Sequence, residues 1–150
     1  MAHSYAQCLF HCVFSTKGRR NLIPASAQDR LWAYLGGIAR ANDITALAVG
    51  GTSDHAHVLL SLPATMPVAK AIQLVKAGSS KWLHETIPTL RGFAWQEGYG
   101  AFSIGVSQVA GTVRYINRQA EHHRTQTFEE EYIAFLRRNG VEFDQRYVFG

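Results

Sequence analysis

Residues 54–62, "DHAHVLLSL", constrain this chain more than any other stretch. Val58, Leu59, Leu60 and Leu62 demand burial, and a short apolar run bounded by turn residues reads as a strand inside a core. The preceding "ITALAVGG" (44–51) reads as its partner, the two joined by a Gly-Gly turn as a hairpin. Into this run the sequence places His55 and His57. Positions i and i+2 of a strand share a face, so both imidazoles point the same way. A buried imidazole without a polar partner is costly. Either both rings find backbone partners, or they converge on something.

The rest of the chain supplies a sheet for that hairpin. "YAQCLFHCVFST" (5–16) is rich in aromatic and β-branched residues and reads as a long strand. Residues 23–43 open with a proline suited to a first helical turn, and Leu31, Trp32, Leu35, Ile38 and Ala39 recur at helical spacing. Residues 66–86 form a second helix with Val68, Ile72, Val75 and Leu83 near one face, and "GAFSIGV" (100–106) is a fourth strand. Ser107 is placed to cap a helix over 108–124. Thr127 with Glu130 is a capping-box signature for a last helix over 128–138. The order β-α-β-β-α-β predicts an α+β fold of the ferredoxin-like or RRM-like kind: an antiparallel sheet with two helices on one face, then two further helices. With 150 residues, 47% hydrophobic and 17% charged, the chain suits one globular domain over 1–150. No apolar stretch is long enough to span a bilayer, and "MAHSYAQCLF" lacks the pattern of a secretory signal, so no membrane partner and a cytoplasmic location are expected.

Cys8 and Cys12 share a strand face near His3 and His11, but the spacing is no recognised zinc pattern, and buried reduced thiols are expected. The net charge of +4 suits a polyanionic partner. The cations are spread over the chain: Lys17, Arg19 and Arg20 in "KGRR", then Lys70, Lys76 and Lys81, then Arg114, Arg118 and Arg124, then Arg137 and Arg138. Lys17, Arg19, Arg20, Arg114 and Arg118 are the candidates for phosphate-backbone contacts.

Three readings of the histidine pair compete. Both can be satisfied strand residues. A histidine-triad nucleotide hydrolase would need a third histidine where Leu59 stands. A metal site would suit Mn²⁺, Zn²⁺ or, with oxygen ligands, Mg²⁺, and would need a third ligand and an open position. The helix at 108–124 bears on the choice. Val109, Val113, Ile116 and Ala120 make its core stripe, while Tyr115 and Gln119, four apart, lie together off that stripe, flanked by Arg114 and Arg118. A tyrosine beside a metal ligand in a basic surround is what covalent phosphodiester transfer needs.

"LFHCVFSTKGRRNLI", "DHAHVLL", "YGAFSIGVSQVAGTVRYINRQAEHH" and "TFEEEYIAFLRRNGVEFDQRYVF" together resemble the small single-tyrosine transposases of the HUH superfamily, of the IS200-like insertion-sequence type. The resemblance implies DNA transposition and recombination: cutting single-stranded DNA at element ends folded into hairpins, and rejoining it through a 5′-phosphotyrosine intermediate with a divalent ion, Mg²⁺ or Mn²⁺. It implies Tyr115 as nucleophile, His55, His57 and Gln119 as metal ligands, and a homodimer whose active sites are shared between chains. His122, or His123 beside it, competes with Gln119 as third ligand. Asp54 is expected to face the other side of the strand as a turn residue. The rival readings are a single-strand-binding module without chemistry and a replication- or relaxase-type HUH nickase.

Overall fold

Strand β1 (Cys8–Ser15) lies inside an antiparallel sheet of order β2-β3-β1-β4, with β2 (Thr45–Gly51), β3 (His55–Leu62) and β4 (Gly100–Ser103). The computed structural model describes residues 3–149. Helices α1 (Ala25–Ala41) and α2 (Val68–Thr86) provide the crossovers, and α3 (Val109–Asn117), α4 (Gln119–His122) and α5 (Phe128–Arg138) follow β4. The expected β-α-β-β-α-β core and sheet are present. No helix among the described residues is long and apolar enough to cross a membrane.

The alternation of each strand divides the sheet into two faces. Cys12 and Phe14 of β1 and Ala56, Val58, Leu60 and Leu62 of β3 pack with Leu31, Leu35, Ile72, Val75 and Leu83 of α1 and α2 into the main core. The opposite face carries Val13, and β4 adds Phe102. There a second core forms with Phe128, Tyr132, Phe135 and Leu136 of α5. His11, His55 and His57 also belong to this second face, because they alternate with the main-core residues. The cysteines are free thiols, Cys12 in the main core and His11 on the other side of the sheet, so no Cys–His cluster forms among the described residues.

Three local expectations are corrected. The hairpin turn is residues 52–54, closed by Thr52 N–H donating to His55 O at 3.1 Å, and both Gly50 and Gly51 lie within β2. Gly50 serves a different purpose: a Cβ there would stand 2.6 Å from the Ile116 carbonyl oxygen, so the bare backbone lets α3 lie directly on β2. The helix expected over 108–124 is broken at Arg118, whose φ of −112° and ψ of 25° are not helical, and Ala120 is consequently exposed and leaves the core stripe. Ser107 sits in a 3₁₀ turn, Val106–Gln108, and caps nothing; the Gln108 side chain accepts from Gly105 N–H instead. The capping box of α5 forms as expected, with Glu130 N–H donating to Thr127 Oγ1 at 3.2 Å and Thr127 N–H to Glu130 Oε1 at 3.2 Å.

Candidate metal and tyrosine site

β3 presents His55 and His57 fully buried on the second face, under α3, α4 and α5. Each ring is held from behind. His55 Nδ1 lies 2.7 Å from Asp54 Oδ1 and 3.1 Å from Thr52 Oγ1. His57 Nδ1 lies 2.8 Å from Nε2 of His11, its diagonal neighbour on β1. The Asp54 side chain therefore folds back onto the histidine beside it, contrary to the expectation that it faces away. Holding one ring nitrogen fixes the orientation and tautomer of the other, as in metal-binding histidines.

The Nε2 atoms point forward into a shared space, where Gln119 Oε1 stands 2.9 Å from His55 Nε2. The break at Arg118 turns Gln119 inward, and its Nε2 donates to Tyr115 O at 3.3 Å, which fixes which end of the amide faces the histidine. Tyr115 reaches the same cluster from α3. Its ring centroid is 5.8 Å from that of His57. The sequence-predicted set of His55, His57, Tyr115 and Gln119 thus meets within one chain. His122 stacks on Tyr115 at 4.4 Å, whereas His123 Nε2 lies 3.1 Å from Gln119 Oε1.

One residue at the centre was missed from the sequence. Glu131 of α5, 1% exposed, brings Oε1 to 3.0 Å from His57 Nε2, 3.2 Å from His123 Nε2 and 3.6 Å from His55 Nε2, and its Oε2 accepts from the Tyr115 hydroxyl. The signal was present: Phe128, Tyr132 and Phe135 form the apolar stripe of α5, and Glu131 occupies a position of that same stripe. An acid on a buried stripe needs a partner.

Electrostatics follow from burial and from these contacts. Burial lowers His57 to about 4 and His11 to about 3, so both rings are neutral at neutral pH. Burial pushes the Glu131 carboxyl up, but hydrogen bonds from His123, His57 and Tyr115 outweigh it and hold it well below the usual carboxylate range. Burial, reinforced by the Glu131 charge, raises the Tyr115 hydroxyl above its ordinary value. His55 Nδ1 faces Asp54, and its Nε2 faces two oxygens, Gln119 Oε1 and Glu131 Oε1. Acceptors that face one another need a cation or an extra proton between them. The donors are two imidazole nitrogens with amide and carboxylate oxygens, which fit Mn²⁺, Zn²⁺ or Mg²⁺.

Clefts flank the cluster. Tyr115, His11, Gln108, Thr112, Phe135 and Arg138 line one of ≈ 340 Å³. Asp54, His123, Gln126 and Arg19 border another of ≈ 370 Å³. Among the cations proposed for phosphate contact, Lys17, Arg20, Arg114 and Arg118 are exposed, whereas Arg19 is half-buried against Phe149, its guanidinium 4.8 Å from the ring centroid. Arg138, beside Tyr115, was not among them.

Comparison with known proteins gives the same direction. The transposase for insertion sequence element IS200 of Salmonella typhimurium is 28% identical over 130 residues, covering 83% of this chain and 84% of that protein. The ISDra2 transposase TnpA of Deinococcus radiodurans is 23% identical over 118 residues, covering 75% and 84%. In fold, the chain matches a crystal structure of a candidate transposase from Deinococcus radiodurans R1 with a TM-score of 0.65, at 22% identity over 79% of this chain and 96% of that one. It matches a REP-associated tyrosine transposase bound to a REP hairpin with a TM-score of 0.60, at 15% identity over 82% and 73%. The family described as "Transposase IS200 like" matches residues 4–119, most of the chain and all of the sheet, and the chain belongs to that family of transposases.

Proposed function

We propose that this transposase cuts and rejoins single-stranded DNA at hairpin-bearing element ends, with Tyr115 as the attacking nucleophile. The carrying observation is the Tyr115 hydroxyl, held by Glu131 within the histidine cluster while its ring borders an open cleft. The phenol oxygen attacks phosphorus and the bond from phosphorus to the 3′ oxygen breaks. The phenol proton is given up, the departing oxygen leaves as a 3′ hydroxyl, and the 5′ phosphate stays on the tyrosine. A 3′ hydroxyl from another strand reverses the step and rejoins the DNA. His55 and His57, with Gln119, would hold a divalent ion, Mg²⁺ or Mn²⁺, whose chemistry when bound is to polarise a phosphate oxygen and offset developing charge. Arg114, Arg118, Lys17 and Arg20 supply phosphate contacts on the exposed surface, and Arg138 adds a cation at the cleft. The hairpin-bound relative supports hairpin DNA as the partner.

The test is incubation with labelled single-stranded hairpin DNA and Mn²⁺ followed by denaturing electrophoresis. A protein–DNA band resistant to denaturation is expected, lost in Tyr115→Phe while hairpin binding persists. DNA binding without any covalent band would favour the non-catalytic binding module. A band retained in Tyr115→Phe would move the nucleophile elsewhere.

A further inference from the structure

We infer that the cleft beside Tyr115 seats one nucleoside of the DNA strand next to the scissile phosphate, with Arg138 on the backbone phosphate at its far side. This rests on Tyr115 as the nucleophile and adds the part of the substrate that the cleft receives.

One wall comes from α3 and the turn before it. Gln108, Gly111, Thr112 and Tyr115 are spaced i, i+3, i+4 and i+7, so they share a face, and all four line the cleft. Gly111 stands inside the helix, where glycine is less stable than alanine. Its backbone is helical, so no unusual conformation requires it. Packing does not require it either: the one side-chain atom that a Cβ would approach is Arg114 Nη2, at 3.8 Å. What the bare position does is keep the cleft open. The aromatic floor is His11 and Phe135, with the Phe135 ring edge-on to Tyr115 at 5.7 Å and to His11 at 5.0 Å. The polar wall has free valences. Gln108 Oε1 accepts from Gly105 N–H at 2.9 Å, which leaves its amide N–H groups to donate. The Thr112 hydroxyl donates to Gln108 O at 2.8 Å, which leaves its oxygen to accept. An apolar floor with a donor and an acceptor at one wall fits a nucleobase, apolar on its faces and polar at its edge. A volume of ≈ 340 Å³ has room for a nucleoside and none for a duplex, so the occupant is a single strand.

The other wall is α5. Glu131, Phe135 and Arg138 are spaced i, i+4 and i+7 and share one face, with the carboxylate that holds the Tyr115 hydroxyl at one end and the cation at the other. Seven residues of helix rise roughly 10 Å. The Arg138 guanidinium lies back over the Phe135 ring, 5.5 Å from its centroid, which holds an otherwise exposed side chain at the cleft. No acidic residue lines this cleft among the described residues. A strand with one phosphate at the Tyr115 hydroxyl and its base over Gly111 therefore brings its next phosphate toward Arg138.

The experiment measures the rate of covalent attachment to the single-stranded hairpin oligonucleotide that wild type cleaves, with Mn²⁺. Copies carry an abasic residue on one side or the other of the scissile phosphate. Wild type is expected to slow about tenfold or more on one of the two copies. Gly111→Leu, which fills the cleft, should slow by a similar factor on the intact strand and lose nothing further on that abasic copy. Thermal unfolding checks the variant, and leucine, the better helix former, should unfold no earlier than glycine. Arg138→Ala should also slow attachment about tenfold, and Arg138→Lys less. A neutral methylphosphonate one nucleotide from the scissile position should slow wild type but leave Arg138→Ala unchanged. This second pair of measurements stands whether or not Gly111→Leu folds well. Attachment by Gly111→Leu at the wild-type rate, or equal further losses on the abasic copies, would overturn the nucleoside seat while Tyr115 stands as nucleophile. Equal slowing of wild type and Arg138→Ala by the methylphosphonate would overturn the Arg138 contact. No adduct from wild type on any strand would overturn the Tyr115 reading and this one with it.

Discussion

At the scale of single residues, the site is built in pairs: a forward-facing imidazole and a group that holds it from behind. Asp54 holds His55 at 2.7 Å and His11 holds His57 at 2.8 Å. Partners of this kind commonly contribute about 10–100-fold to metal affinity. Asp54→Ala is therefore expected to weaken Mn²⁺ binding within that range while the sheet stays folded, because Asp54 sits at a turn and is only partly buried. Unchanged affinity in Asp54→Ala would make that hydrogen bond incidental. The neutral histidines also predict how stability depends on pH. In the folded, metal-free chain His57 is lowered to about 4 and His11 to about 3, both from 6.5 and both chiefly by burial. The unfolded chain binds more protons in that window, so stability is full above pH 6.5 and declines as the pH falls toward 4. Thermal unfolding in the presence of a chelator should show this fall, and His11→Gln should make it shallower. A flat profile through that window would mean that the imidazoles titrate freely in the fold.

At the scale of elements, the site depends on how closely α3 lies on β2. Gly50 has no side chain at the point where a Cβ would meet the Ile116 backbone at 2.6 Å, and backbone cannot give way as a flexible side chain can. Gly50→Ala should lift α3, displace Tyr115 from Glu131, and cost both stability, about 1–3 kcal/mol by overpacking, and most of the covalent attachment. Wild-type attachment and unfolding in Gly50→Ala would show that α3 tolerates a wider seat. The same glycine shows where the sequence was legible and where it was not. Strand alternation put His55 and His57 on one face, and helical spacing paired Tyr115 with Gln119, because both patterns are local. The purpose of Gly50 was not local: a Gly-Gly pair after an apolar run reads as a turn until a helix some 60 residues later is known to press on it. The break at Arg118 was hidden for a similar reason. No proline or glycine marks it; it accompanies the burial of Gln119, a tertiary contact. Glu131 was legible in principle, as an acid on an apolar stripe, but among "FEEE" the capping box at Thr127 and Glu130 explained the acids too readily.

At the scale of the whole molecule, the question is whether the site belongs to one chain or to two. The resemblance implied a homodimer with histidines from one chain and tyrosine from the other. Within the single chain described, Tyr115 stands beside its own His57, bonded to its own Glu131, and Gln119 touches its own His55. The link from β4 to α3 is short, residues 104–108, and α3 rests on its own β2 through Gly50. An exchange of α3 between chains would have to break that contact and redistribute α5 too, since Glu131 and Tyr115 meet from different helices. A site complete within each chain and a site shared between two chains make opposite predictions. The check mixes two inactive proteins, Tyr115→Phe and the double variant His55→Ala with His57→Ala, under conditions where they are shown to associate. If each chain carries its own site, neither partner holds a full set and no DNA becomes linked. If sites are shared, the mixed dimer holds one intact site, and DNA is linked to the chain that bears the histidine changes, because that chain supplies Tyr115. Label on that chain would overturn the single-chain arrangement and require α3, and Glu131 with whichever chain keeps it, to be reassigned. The Glu131 variant then identifies the second partner. In a shared site, Glu131→Gln placed on the histidine-bearing chain and on the tyrosine-bearing chain would differ in effect, and the more damaging position names the chain whose α5 closes the site.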